Sequence, residues 1–94
     1  MLIHSGTGNA TSAAALFTTG RPLRVSLVTT DATEVTLEMR DGESGSWVPI
    51  MKDGVDVVLS ATNPIVALQL GPCYLRGIAT GNTGTAWKLV AVDV

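Results

Sequence analysis

Between Glu34 and Met51 the chain carries a pattern that few local structures accommodate. Val35, Leu37 and Met39 alternate strictly with Glu34, Thr36, Glu38 and Arg40. A period of two places the apolar set on one face and the polar set on the other, which is what a half-buried antiparallel strand requires. Asp41-Gly42 and Gly45 then offer positive-φ positions and side-chain acceptors for a reversal, and the chain returns as a short strand opening on Trp47. The loop is longer than a two-residue turn, so its turn type stays open.

The same rhythm extends on both sides. Pro22 suits the mouth of a strand, and beyond it Leu23, Val25 and Leu27 alternate with Arg24, Ser26 and Val28. Thr29 to Thr33 reads as a turn and Lys52-Asp53-Gly54 as another, leading into Val55 to Leu59 with Val55, Val57 and Leu59 on one side. Ile65 to Leu70, a nearly continuous apolar run bounded by Asn63-Pro64 and Gly71-Pro72, is too short for a helix and reads as a buried strand. In Cys73 to Thr80, Tyr74, Arg76 and Ile78 share one side, with Cys73, Leu75 and Ala79 on the other. Gly81 to Gly84 is a hairpin loop. In the last strand Trp87, Leu89 and Ala91 alternate with Lys88, Val90 and Val92. Turn signals at intervals of about 8–12 residues, with no room for a helix, predict an all-β chain: one antiparallel β-sandwich, jelly-roll or Ig-like, of about seven to eight strands. Its expected core is Leu23, Val25, Leu27, Val35, Leu37, Val57, Leu59, Leu68, Ile78 and Leu89.

Ninety-four residues suit one small domain. Hydrophobic residues make up 46% and charged residues 15%, rather apolar for a domain with so much of its chain near the surface. Either some strands are buried on both faces, or part of the surface is covered by other subunits. Residues 1–20 stand apart from the sandwich over 21–94: they are rich in Gly, Ser, Thr, Asn and Ala, and their only ionisable side chain is His4. They read as a frayed terminus with one short strand, or as an arm that orders against a neighbouring subunit. On the second reading the apolar pairs Leu2-Ile3 and Leu16-Phe17 are the candidate subunit contacts.

Most chemistries lack their residues. The net charge is −2, and the four arginines and two lysines are scattered, so there is no basic stripe for nucleic acid. No apolar run approaches membrane-spanning length, and the N-terminus has no basic region of a signal peptide. His4, which reads as a surface residue, has no acidic neighbour in sequence, and Cys73 begins an apolar strand as a small hydrophobe would; the pair supports neither a nucleophilic site nor a zinc site. Asp53 and Asp56, or Asp41 and Glu43, flank glycines but fall short of the ligand density of a calcium loop. The reading is of a non-enzyme with no catalytic residue, cofactor or metal. Trp47, Tyr74 and Trp87 offer an aromatic platform for sugar, but each begins or sits in an alternating strand, and core packing is the reading preferred for them.

With these pieces in order, the region from about Leu23 to Val94 resembles a loose class of small tailed-phage virion proteins. In that class a Val-Thr-Leu strand runs through an Asp-Gly turn to a Trp, here Val35-Thr36-Leu37, Asp41-Gly42 and Trp47, and precedes a Gly-, Tyr- and Arg-bearing strand, here Gly71 to Arg76. This sequence departs from the class by placing Leu75 between Tyr74 and Arg76. The resemblance implies a β-sandwich on the virion surface, made in the host cytoplasm, that decorates or cements the head. Its partners would be the major capsid protein or other virion proteins, and copies of itself in a homo-oligomer such as a trimer; nucleic acid and membrane are not expected. A tail or head–tail connector component is the neighbouring alternative, and a small carbohydrate-binding module the alternative from another class.

Overall fold

The computed structural model describes residues 1–17, 22–42, 45–69 and 72–93. The described chain is all-β. One antiparallel sheet has the order β1 (Leu2–Thr7), β11 (Ala86–Asp93), β3 (Pro22–Thr29), β9 (Ile65–Gln69). The other has β2 (Ala15–Phe17), β10 (Cys73–Thr80) and β4 (Glu34–Arg40), with β5 (Val48–Pro49) and β8 (Val58–Leu59) sharing the edge beyond β4. Between β5 and β8 the chain leaves as a small hairpin, β6 (Met51–Lys52) and β7 (Val55–Asp56). Counting β5 and β8 as one interrupted strand gives eight strands ordered 1-8-3-6 and 2-7-4-5. That is a jelly roll, not the order of an immunoglobulin sandwich, which resolves the alternative left by the sequence.

The alternating strands build the core as their period requires. Val25 and Leu27 of β3 and Trp87, Leu89 and Ala91 of β11 meet Val35 and Leu37 of β4 and Leu75 and Ala79 of β10, all buried, and Leu23 of β3 is buried too. Each large apolar side chain taken fully out of water stabilises the fold by about 1.5–3 kcal/mol. Nine of the ten expected core residues are buried. Ile78 is the exception: it shares the parity of Tyr74 and Arg76, so its half-buried side chain lies on the outer face of its sheet. A second correction concerns β9. The nearly continuous apolar run reads as a buried strand, yet β9 is an edge strand with Leu68 inside and Ile65 exposed.

Residues 1–17, read as part of an arm, supply the first strand of each sheet; residues 18–20 lie outside the described residues. β1 pairs with β11, and a bulge between Leu2 and His4 turns Ile3 into the core. The chain then crosses to the other sheet, where Ser12 N–H donates to Gly77 O at 2.8 Å and Gly77 N–H returns a bond to Ser12 Oγ at 2.9 Å. Polar composition hid this segment because two edge strands need only one inward face each.

At the far edge, three backbone bonds close the base of the β6–β7 hairpin. Leu37 N–H donates to Val57 O (3.1 Å), Val57 N–H to Ile50 O (2.8 Å), and Ile50 N–H to Leu37 O (2.9 Å). The Lys52-Asp53-Gly54 turn signal is borne out there. Asp53 and Gly54 have φ of 56° and 79°, the two positive values that a type I′ turn demands. Val55, expected inside with Val57 and Leu59, is exposed on the hairpin.

Candidate interaction surfaces

Strand pairing lays out the outer face of the first sheet row by row. Leu2, Val90, Ser26 and Ile65 stand in one line across all four strands. On one side of it Ser5, Lys88 and Val28 are in register, and on the other Val92, Arg24 and Ala67. Leu2 and Val28 are each 58% exposed and Ile65 55%. The only charges in these rows are Arg24 and Lys88, both positive. The cause is visible in the strands: β3 and β11 carry apolar residues at both parities, so one set fills the core and Val28, Val90 and Val92 are left outside.

The outer face of the second sheet has a different chemistry. Leu16, Tyr74 and Arg40 form one row, and Arg76, Glu38 and Pro49 the next. Trp47, just ahead of β5, lies under two guanidiniums, with Arg76 Cζ 4.3 Å and Arg40 Cζ 4.6 Å from its ring centroid. Arg40 Cζ also lies 5.4 Å from the Tyr74 ring centroid. Arg76 is neutralised by Glu38, at 2.7 Å. Arg40 makes no ion pair among the described residues, and its buried Nε has no hydrogen-bond partner there.

The candidate contacts named from sequence therefore do not form one patch. Leu2 is exposed on the first outer face and Leu16 on the second, while Ile3 is in the core and Phe17 packs against it half-buried. The three aromatics separate as well. Trp47 and Tyr74 meet on the second outer face, whereas Trp87 is a core residue whose Nε1–H donates to Gly8 O at 2.9 Å. His4, read as a surface residue, instead stacks on Trp87 with ring centroids 4.1 Å apart. Cys73 is buried as expected, and burial, with a smaller contribution from Asp41, pushes its thiol pKa up.

No protein family, no curated protein and no solved structure matches the chain. The surfaces have to be read from their own chemistry.

One end of the sandwich is knitted shut by polar side chains. The Asp31 carboxylate accepts bonds from the Thr29 hydroxyl, from the N–H and hydroxyl of Thr33, from the N–H and hydroxyl of Thr83, and from the Thr85 hydroxyl. These donors, Thr33 foremost, hold the carboxyl well below the usual carboxylate range. Asn82 adds bonds from Gly8 N–H to its Oδ1 (2.9 Å) and from its Nδ2 to Thr33 Oγ1 (2.9 Å). Asp31 is thus fully used in joining loops. At the hairpin, Lys52, Asp53, Val55 and Asp56 border a cleft of about 430 Å³ whose lining includes Val57, Leu59 and Val66.

Proposed function

We propose that this protein is a non-enzymatic structural component of a tailed-phage virion, bound to the outside of the head as a decoration or cement protein. The observation that carries the reading is the row Leu2–Val90–Ser26–Ile65 across the first sheet, apolar but for Ser26, with Leu2 and Ile65 more than half exposed at its two ends and Val28 beside it equally exposed. Large apolar side chains left exposed together on one sheet face mark contact surfaces. The sequence resemblance supplies the setting, and the jelly roll suits it by analogy, since that architecture serves viral shells as well as lectins.

The charges bordering the row narrow the partner. Arg24 and Lys88 lie on opposite sides of it, so two copies packed face to face about a twofold axis would set positive charge against positive charge in either orientation. An apolar surface rimmed by acidic residues fits, as on an assembled shell. Many copies on one particle make a modest individual affinity sufficient.

The test is co-sedimentation of the purified protein with empty capsids of the phage that carries it. Wild type should remain with the particles through a salt wash, and Val28→Asp with Ile65→Asp should abolish retention while leaving thermal unfolding unchanged. Absence of wild-type binding, or full binding by the double variant, would overturn the reading. Gold labelling of intact particles on tails alone would move the protein to the tail.

A further inference from the structure

We propose that copies of this protein associate head to tail, the β6–β7 hairpin of one docking on the Arg40–Trp47–Tyr74 face of the next. The inference does not rest on the capsid reading, because the surfaces involved are not the apolar row.

The receiving face holds the residue types that dominate binding energy, Trp, Tyr and Arg, on one side of one sheet. Its charge is not balanced: Glu38 answers Arg76, and Arg40 is left without a carboxylate among the described residues. Leu16, 49% exposed and in register with Tyr74, continues it as apolar surface. The face can therefore take a carboxylate flanked by apolar side chains.

The hairpin presents that combination. Met51 and Val55 are 60% and 67% exposed, and Asp53 and Asp56 make no ion pair among the described residues. The one base beside them, Lys52, turns away to donate from Nζ to Ala67 O of β9 at 3.1 Å. Asp53, Val55 and Asp56 border the open cleft of about 430 Å³ beside the hairpin. A cationic aromatic face with one arginine unanswered among the described residues and an acidic apolar hairpin whose one lysine is engaged elsewhere thus occur on the same chain.

Because the two patches differ, the contact is heterologous, and repetition closes it into a ring or extends it as a filament. A trimer is one such ring. The apolar row belongs to the other sheet and would stay free for a second partner.

Two variants test the contact without touching the core. Arg40→Gln disables the face. Asp53→Asn with Asp56→Lys disables the hairpin, and Asn is chosen because residue 53 sits at a φ of 56°. Thermal scans verify that each variant is folded. By light scattering and sedimentation across a concentration series, wild type should assemble, high salt should weaken assembly, and each variant should weaken it about tenfold or more. Mixing the variants leaves one intact face and one intact hairpin per pair, so 1:1 dimers should appear. A wild-type monomer at the highest concentrations, undiminished assembly by either variant, or a mixture that fails to pair would each overturn the proposal.

Discussion

Gly77 of β10 faces Leu89 of β11 across the gap between the sheets, so closely that a methyl group on Gly77 would stand 2.7 Å from Leu89 Cδ2. The same methyl would lie 2.6 Å from Val35 Cγ1, well inside the normal carbon–carbon contact of about 3.5–4.0 Å. Gly77→Ala should therefore destabilise the protein by about 1–3 kcal/mol through overpacking. Gly42→Ala, with open space around the added carbon, is the control and should be close to neutral. Denaturant midpoints at constant slope measure both.

Leu37 is fully buried in β4 and Thr36 beside it is half-buried on the outer face. Leu37→Ala should cost about 2–5 kcal/mol, since it removes transfer energy and leaves a cavity. Thr36→Ala should cost well under half of that. The reverse order in urea titrations would mean that the inward and outward faces of the strand are exchanged.

The same alternation explains how far the sequence could be read. Period two in Leu23–Leu27, Glu34–Arg40 and Trp87–Ala91 encodes both strand and facing, so the class, most strands and much of the core were legible. The two outer faces were less so. Val28, Val90 and Ile65 look like further core until pairing shows that each sheet has only one inner side. Trp47 and Tyr74 are 27 positions apart, and only the β4–β10 register brings Arg40 between them. His4 and Ile3 were hidden by a bulge, which carries no composition signature. What escaped is the long-range pairing of locally ordinary strands.

Residues 1–12 form part of the sandwich, and their removal should unfold it. The deletion takes Ile3 from the core, His4 from the face of Trp87, the acceptor of the Trp87 indole at Gly8 O and the Ser12 bonds to Gly77. Ile3→Ala alone should cost about 2–5 kcal/mol if the site cannot collapse. Tryptophan emission and far-UV circular dichroism would report the outcome; a truncated protein with native spectra and an unchanged melting temperature would restore the arm.

Asp31 sets a pH dependence of definite sign. Its folded-state pKa is depressed below the ordinary value near 3.8, so the stability it contributes is complete above that value and is lost progressively as pH falls below it. Asp31→Asn should lower the melting temperature at neutral pH, and the gap from wild type should narrow as the medium is taken from about pH 5 to pH 3. A gap that stayed constant with pH would assign the effect to loop geometry and not to the charge.

The triangle of backbone bonds among Leu37, Ile50 and Val57 makes the small hairpin an appendage with a locked base. Chain enters and leaves at neighbouring points whose donors and acceptors are already satisfied, so the sandwich does not depend on what is strung between them. Replacing Asp53-Gly54 with a longer guest peptide should leave the jelly roll standing, since each doubling of a flexible loop adds only about 0.6 kcal/mol of closure entropy. An insertion there that broke head-to-tail association would turn the protein into a small monomeric carrier, displaying a foreign epitope at the rim of an otherwise unaltered scaffold.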